Sequence, residues 1–452
     1  MRITLKHYGC NEKKYFYKRE KGITLIALVV TIIVLLILAG VSINIIVGKE
    51  GILKAAKLSV RTYKAAELKE QVQMELALEA DKDEKEGIRP QDTKEIIQKY
   101  GKINRTNLIV NNNESIPIED ILGDYSNRKI SKNAICGYWC NYISSDDFVP
   151  MKLSDIPNYY EVINVAFARS DGNKNGAIKF ELNEYLSETL NYSNEEFKKD
   201  IIGLQKKNKK VILSIGGSND KNINITNEDE ALNFANSVIE QINEYNFNGI
   251  DIDIENGNIE TKYFEDAIMK ISDNYASNLF ITINSSATEM RSANVNNGID
   301  NIWYRISKDL KDILSLISIR YYNSGTQRGF DYEEIYSREQ GHISFITALA
   351  TKFLEDKNFN HRQIGICILG YNEPQGDDLP QAFMEADKIV LALSSLIEGK
   401  DVHDSYKNFI PPTSYPDIGP TTIWSINNDA YNNYEMSRSI YSYISSRQSN
   451  NL

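Results

Sequence analysis

Residues 131–452 alternate between short segments rich in Ile and Val and longer segments with helical apolar spacing. The pattern predicts eight strands, at 134–139, 162–167, 211–215, 250–254, 280–283, 316–321, 364–369 and 422–426. Helices are predicted between them, among others at 195–206, 228–245, 263–275 and 382–397. Strands that are apolar on both faces are typical of a parallel sheet covered by helices. The repeat therefore predicts one α/β domain, a (β/α)8 barrel over residues 132–452.

The fourth predicted strand carries three carboxylic acids on one face. Side chains alternate along a strand, so Asp251, Asp253 and Glu255 point one way, roughly 6–7 Å apart, and the isoleucines between them point the other. Chemistry in such barrels lies at the C-terminal strand ends. Crowded, buried carboxyls repel one another, so at least one is expected to hold a proton near neutral pH. A protonated acid beside an ionised one is suited to cleavage of a glycosidic bond. The alternative is a half-exposed strand whose acidic face is in contact with solvent.

Four motifs lie at predicted strand ends: LSIGG at 213–217, NGIDIDIE at 248–255, YYN at 321–323 and IWSIN at 423–427. They resemble the SxGG motif, the DxxDxDxE motif, the tyrosine-asparagine pair and the terminal tryptophan strand of glycoside hydrolase family 18, the retaining chitinases and their relatives. The resemblance covers about residues 133–446, with the motifs in the family's order. It implies a (β/α)8 barrel that hydrolyses a polysaccharide containing N-acetylglucosamine, with no cofactor. No metal site is predicted, because His342, His361 and His403 show no metal-ligand spacing.

The resemblance also implies substrate-assisted catalysis, in which the sugar's own 2-acetamido group replaces a protein nucleophile. Glu255 would protonate the departing oxygen and later activate water. Asp253 would orient the acetamido group, and Asp251 would share a proton with Asp253. Tyr322 would donate a hydrogen bond to the acetamido carbonyl.

Further residues are implied to bind substrate: Asn323, Trp424, Tyr138, Phe167, Gly216 and Gly217. Asn323 would contact the same sugar as Tyr322. Trp424 offers a flat apolar face on which a pyranose ring can stack. Tyr138 and Phe167 would line the floor of that subsite. The alternative for the aromatic residues is ordinary core packing.

The sequence departs from the family pattern at several positions. Asn248 replaces the first Asp of the signature, at a position expected to be structural. Arg320 stands where the family usually has Met or Gln, and strand alternation places it on the barrel-facing side. A guanidinium there would favour the ionised forms of nearby carboxyls or bind an anionic substrate. Ser285 and Ser286 stand where relatives often carry Pro and an acid or amide, so substrate contacts there stay open.

About fifty residues separate the last two predicted strands, too few for the insertion that deepens the cleft of processive relatives. An open groove is therefore expected, suited to endo-acting cleavage. Chitin, peptidoglycan and N-glycans all remain possible substrates on this fold. A lectin-like binding protein is the competing class, with Arg320 having disabled turnover.

Residues 23–47 are uncharged and mostly apolar, and as a helix they would extend about 37 Å, enough to span a bilayer. The leader at 1–22 is basic, which predicts a cytoplasmic N-terminus and an extracellular C-terminal domain in a single-pass membrane protein. Lys21-Gly22-Ile23 and the residues after them resemble the class III leader of type IV prepilins. The resemblance implies cleavage between Gly22 and Ile23, methylation of Ile23, and a prepilin peptidase and pilus or pseudopilus subunits as partners. Ala27 replaces the usual Glu, and a plain transmembrane anchor is the alternative.

Residues 48–78 are predicted to form a helical stem, and residues 79–131 a polar linker with a short helix near 92–100. The net charge of −11 argues against a nucleic-acid partner. Cys136 and Cys140 would lie about 13 Å apart on one strand, too far to form a disulfide. The sequence thus predicts a surface-displayed glycoside hydrolase. The alternatives are a surface adhesin and a structural minor pilin in which the barrel has no function of its own.

Overall fold

The computed structural model describes residues 52–82, 88–110, 114–143, 148–292, 300–324, 327–328, 337–338, 340–372, 383–402 and 409–449. The predicted leader (1–22) and transmembrane segment (23–47) lie outside these residues. Within the described ranges no helix is both long and apolar enough to cross a membrane. The chain divides after Ala66 into two compact units, of which residues 67–452 form the larger.

The region before the barrel contains regular structure. Helix α1 (Ile52–Lys82) overlaps the expected stem at 48–78, of which residues 48–51 lie outside the described part, and α2 (Pro90–Gln98) overlaps the short helix expected near 92–100. An antiparallel sheet of β1 (Lys102–Asn104), β2 (Asn107–Val110) and β3 (Glu114–Pro117) follows, and then the short helix α3 (Ile118–Leu122).

The interpretation of 79–131 as a polar linker is therefore wrong for its described part. Its charged composition conceals a small apolar core, in which Ile97, Leu108 and Ile116 are buried. Gln73 of α1 donates hydrogen bonds to the carbonyls of Ile121 and Leu122, at 3.2 and 3.1 Å. These contacts give the segment a tertiary structure that its composition did not indicate.

Eight parallel strands in the described residues close into a barrel, which confirms the predicted (β/α)8 fold. They are β4 (Ile135–Cys140), β5 (Tyr160–Ser170), β7 (Lys210–Gly216), β9 (Gly249–Asp253), β11 (Phe280–Ser286), β12 (Leu316–Arg320), β15 (Ile364–Leu369) and β16 (Thr421–Trp424). Pairing of β4 with both β5 and β16 closes the ring. Two-residue strands lie in the loops: β6 (Ile178–Lys179), β8 (Asn224–Ile225), β10 (Asn258–Ile259), β13 (Gln327–Arg328) and β14 (Ser337–Arg338).

Helices follow most of the barrel strands. They are α4 (Glu184–Leu190), α5 (Asn194–Gln205), α6 (Glu228–Tyr245), α7 (Thr261–Asn274), α8 (Ile302–Asp309), α9 (Ile343–Leu354), α10 (Ala386–Glu398), α11 (Ile426–Tyr431) and α12 (Glu435–Ser449). The last strand was expected to reach residue 426 but ends at Trp424. It ends there because the Ser425 side chain accepts a hydrogen bond from the Asn428 amide and so caps α11.

The barrel strands alternate between two environments, as expected for a sheet covered by helices. Ile250, Ile252 and Ile254 point outward into the main hydrophobic core. The residues between them point into the barrel. Its lower interior is apolar, with Val162 and Phe280 among the side chains that fill it. Polar inward side chains are therefore concentrated nearer the C-terminal strand ends.

Asn248 joins the pre-barrel segment to the start of β9. Its Oδ1 accepts hydrogen bonds from the Val211 amide (2.9 Å) and from Gln205 Nε2 (3.0 Å), and its Nδ2 donates to Asn127 Oδ1 (3.1 Å). The Asn127 amide in turn donates to Asn278 Oδ1, at 2.8 Å. Asn248 thus has a structural role, as expected for the first position of the signature.

Replacing Asn248 by Ala should lower the free energy of unfolding by about 1–3 kcal/mol, because buried hydrogen-bonding groups would lose their partners. Urea denaturation of residues 67–452 measures this change. Asn104→Ala, at an exposed position on β1, is the matched control and should stay within about 0.5 kcal/mol of wild type. Equal stability of the two variants would contradict the structural role of Asn248.

Candidate active site

The acids of β9 lie where strand alternation places them. Asp251 and Asp253 are buried inside the barrel, and Glu255 follows at the C-terminal end of the strand, with 31% of its side chain exposed. Asp251 is therefore the deepest of the three carboxyls, and Glu255 is the most exposed.

Asp251 is enclosed by hydroxyl groups from three other strands. Its Oδ2 accepts hydrogen bonds from Tyr138 Oη (2.8 Å) and Ser214 Oγ (2.6 Å), and its Oδ1 accepts one from Thr282 Oγ1. Burial raises the pKa of Asp251 above its ordinary value, and the three hydrogen bonds oppose that effect. The side chain is thereby fixed in one orientation beneath Asp253.

Arg320 points into the barrel and pairs with two of the acids, as strand alternation predicted for this residue. Its Nη1 lies 2.6 Å from Asp253 Oδ1 and 3.0 Å from Glu255 Oε1. Burial raises the pKa of Asp253 well above its usual range, and the Arg320 guanidinium counteracts this. For Arg320 itself burial lowers the pKa, but Asp253 and Glu255 raise it further, so the net pKa is raised and the guanidinium stays charged.

A cavity of about 250 Å³ opens above these residues at the C-terminal strand ends. Asp253, Glu255 and Arg320 form its acidic and basic wall. The aromatic lining consists of Tyr142, Phe167, Tyr322 and Trp424. The rings of Phe167 and Trp424 are stacked, with 5.7 Å between centroids and 23° between planes. An acidic pair beside an aromatic platform is suited to binding a sugar ring and protonating an oxygen attached to it.

Four of the six predicted substrate-binding residues line this cavity, together with Tyr322, which was predicted to be catalytic; the four are Phe167, Gly217, Asn323 and Trp424. Tyr322 is nearly buried, with its hydroxyl 3.8 Å from Cys367 Sγ. Asn323 is exposed at the cavity edge and has a left-handed backbone, with φ of 49°.

Tyr138 and Gly216 lie elsewhere than predicted. Tyr138 is fully buried below the cavity, with its ring edge against Trp424, so it supports the site and does not form its floor. Gly216 faces the backbone of β9: a Cβ there would lie 2.5 Å from the Asp253 carbonyl oxygen.

The glycine pair serves the close packing of β7 against its neighbours. Gly216 and Gly217 have φ of 115° and 81°, which side-chain-bearing residues rarely adopt. A Cβ on Gly217 would lie 2.6 Å from the Phe167 ring. The Gly217 amide also donates a 2.8 Å hydrogen bond to the Asp253 carbonyl. These two glycines therefore allow Phe167 and Asp253 to approach each other across β7.

Sequence reasoning missed several residues of the site. Ser214 and Thr282 were detectable, because both lie on the inward face of strands that flank β9. Tyr142 lies in the loop after β4, and Arg169 lies near the end of β5, beyond the strand predicted at 162–167. Glu289 accepts hydrogen bonds from the hydroxyls of Ser285 and Ser286, a contact that no sequence pattern indicated.

Three depressions are larger: one of about 710 Å³ adjoins the small cavity and shares Tyr142, Phe167 and Arg169 with it, and two of about 670 and 770 Å³ lie at the opposite end of the barrel. The two at the opposite end lack the acids of β9. Lysine and asparagine residues form much of the lining of those two. Asn248 is the single residue of the four sequence motifs that borders one of them, among the residues that the structure describes. The chemistry is therefore assigned to the smaller cavity with the paired acids.

The family model for glycosyl hydrolases family 18 matches residues 134–396, more than half of the chain. The chain belongs to this family. Its curated relatives in glycosyl hydrolases family 18 include Chitinase D of Niallia circulans, which is 27% identical, and Chitinase Chi52 of Paenibacillus xylanexedens, which is 26% identical. Each alignment covers 67% of this chain and 60% of the relative, so the chain spans about 60% of the length of these relatives.

Solved structures share the barrel. A structure named for chitinase A of Streptomyces coelicolor has a TM-score of 0.61 and 30% identity, over 70% of this chain and 99% of that one. A family 18 chitinase from Chromobacterium violaceum has a TM-score of 0.59 at 23% identity, over 70% of this chain and 84% of that one, which shows the common fold. The likeness thus extends over the barrel that carries the acids.

Proposed function

We propose that the barrel is a retaining glycosidase that cleaves β-1,4-linked N-acetylglucosamine polymers of the chitin type. The observation that carries this proposal is the line of Asp251, Asp253 and Glu255, which ends in a cavity beside stacked Phe167 and Trp424. Family membership supports it, and the relatives named above are chitinases by name. Chitin is chosen over peptidoglycan and N-glycans because of those relatives.

In the proposed reaction, Glu255 donates its proton to the glycosidic oxygen and the bond to the anomeric carbon breaks. The carbonyl oxygen of the 2-acetamido group bonds to the same carbon and forms a cyclic oxazolinium ion. Asp253, buried beside the cavity, orients the acetamido N–H and stabilises the positive charge. Glu255 then takes a proton from water as the water attacks the anomeric carbon, and the acetamido group is restored.

The remaining site residues have binding roles in this proposal. The Tyr322 hydroxyl turns from Cys367 to donate to the acetamido carbonyl, and Asn323 contacts the same sugar. Trp424 and Phe167 provide the surface for the pyranose ring. Asp251, held by its three hydroxyl donors, shares a proton with Asp253. Residues 370–420 contain α10 as their one helix in the described part, which supports an open groove and endo-acting cleavage.

A carbohydrate-binding adhesin is the second candidate function, and the ion pair of Arg320 with Glu255 favours it. A carboxylate held in an ion pair has no proton to donate. A fluorogenic N,N′-diacetylchitobioside distinguishes the two functions: product release by residues 67–452 supports the glycosidase, and binding without release supports the adhesin. Parallel assays on chitin, peptidoglycan and an N-glycan identify the polymer.

Glu255→Gln should preserve the fold and ligand affinity but lower kcat on this substrate by roughly three orders of magnitude or more, because the leaving oxygen loses its proton donor. Steady-state fluorescence assays measure kcat. Glu260→Gln, at an exposed acid five residues further on, is the matched control and should retain wild-type kcat. Comparable activity in the two variants would remove Glu255 from the mechanism.

We further propose that the enzyme is displayed outside the cell by its N-terminal segment. The support is in the sequence: a basic leader at 1–22 precedes 25 uncharged residues at 23–47. The match of Lys21-Gly22-Ile23 to prepilin leaders adds a processing site with Ile23 as the new, methylated N-terminus. The proposed partners are then the membrane, a prepilin peptidase and pilus or pseudopilus subunits.

Cleavage at this leader should depend on the small residue before the scissile bond. In a host with a prepilin peptidase, the wild-type protein should begin at Ile23, and Gly22→Val should remain full length in the membrane. Mass spectrometry of the membrane-extracted N-terminus measures both, with Gly48→Val as the control that leaves the cleavage site intact. A wild-type protein that begins at Met1 would exclude the prepilin hypothesis, and the segment at 23–47 would then be interpreted as a plain transmembrane anchor.

A further inference from the structure

Arg320 introduces a fixed cation into a site that otherwise contains acids. Its guanidinium is almost fully buried, with 9% of the side chain exposed. Nη1 bridges Asp253 and Glu255, and Nη2 lies 3.8 Å from Glu289 Oε2. Arg320 thus lies within 4 Å of three acidic side chains at once.

Other titratable groups around the acids do not supply a compensating charge. Burial raises the pKa of Tyr138, Tyr322 and Cys367, so all three stay neutral. Asp251 lies below Asp253 and accepts hydroxyl hydrogen bonds. Arg169, the other cation that lines the cavity among the described residues, is exposed and lies 6.0 Å from the Tyr142 ring centroid. Arg320 is thus the cation that directly contacts the reacting pair.

The two halves of the proposed reaction place opposite demands on Glu255. In the first half its carboxyl must carry a proton, which passes to the glycosidic oxygen as that oxygen takes the electron pair of the broken C–O bond. In the second half it must be a carboxylate, which accepts a proton from the attacking water. The ion pair with Arg320 can form only with the carboxylate. Arg320 therefore opposes the first half and is compatible with the second.

We propose that Arg320 is a positioning residue that holds the Glu255 carboxyl in an ion pair, so that protonation of the leaving group, which requires this ion pair to open, is the slow half of the reaction. This inference rests on the proposed glycosidase function. It identifies the preferred substrates: glycosides whose leaving group departs with little protonation, and sugar oxazolines, which enter at the second half.

Glu289 modulates this effect in the opposite direction. Its carboxylate is held by the hydroxyls of Ser285 (3.2 Å) and Ser286 (2.9 Å), so it keeps a fixed position near Arg320. There its negative charge offsets part of the positive potential that Arg320 exerts on the reacting pair. Removing the Glu289 charge strengthens the hold of Arg320 on Glu255, whereas removing the Arg320 charge abolishes it. Variants at the two positions should therefore change substrate preference in opposite directions.

The test compares kcat of residues 67–452 on three substrates. Chitotetraose has a poor leaving group that requires protonation, 2,4-dinitrophenyl N,N′-diacetylchitobioside has a good one, and chitobiose oxazoline needs only the second half. Arg320→Gln should raise kcat on chitotetraose relative to the dinitrophenyl glycoside at least about tenfold. Glu289→Gln, which keeps a hydrogen-bond acceptor for both serines, should lower the same ratio. Oxazoline hydrolysis should not rise in Arg320→Gln.

Glu260→Gln is the control that should leave the ratio unchanged. An unchanged or lower ratio in Arg320→Gln would overturn the inference, as would a shift in the same direction from both variants. If Arg320→Gln does not fold, the sign of the Glu289→Gln shift still decides. Failure of wild type and both variants to turn over any of the three substrates would instead refute the glycosidase function, and this inference with it.

Discussion

The in-register parallel pairing of β7, β9 and β11 is the constraint on which the site depends. It places Ser214 and Thr282 directly beside Asp251, because each is its register partner on a neighbouring strand. Their hydroxyls, with that of Tyr138, fix the Asp251 carboxyl deep in the barrel. A shift of one residue in either pairing would turn these side chains away from the interior.

The same register determines the electrostatics above Asp251. Arg320 is paired in register with Ser286 at the end of β11, and its side chain crosses the barrel interior to Asp253 and Glu255. Taking Asp251, Asp253 and the Arg320 guanidinium out of water has a free-energy cost, which the close ion pairs and hydroxyl hydrogen bonds offset. The balance leaves Glu255 at the surface of a small cavity and keeps the other acids below it. Position on the strand, rather than residue type, thus separates the three acids into different environments.

Much of this architecture is readable from the sequence, for a physical reason. Period-two alternation fixes the side of a strand on which a residue lies, so the inward acids and Arg320 were predictable from β9 and β12 alone. Contacts made beyond strand ends follow no period, and Glu289 was therefore missed. The sheet at 102–117 was missed because its few buried apolar residues, such as Leu108, are diluted by charged neighbours. Strand alternation correctly placed Tyr138 on the inward face of its strand. It does not give the position along the barrel axis, so Tyr138 was expected at the cavity floor but lies below it.

The central claim is that the substrate's acetamido group attacks the anomeric carbon from the face opposite the leaving group, and that water later attacks from the face that the leaving group had occupied. Such a double displacement retains the anomeric configuration. Time-resolved proton NMR of chitotetraose hydrolysis by residues 67–452 tests this directly, because the first-formed product is observed before it mutarotates. The account predicts that the β-anomer appears first. Initial formation of the α-anomer would contradict substrate-assisted catalysis by Asp253 and Glu255.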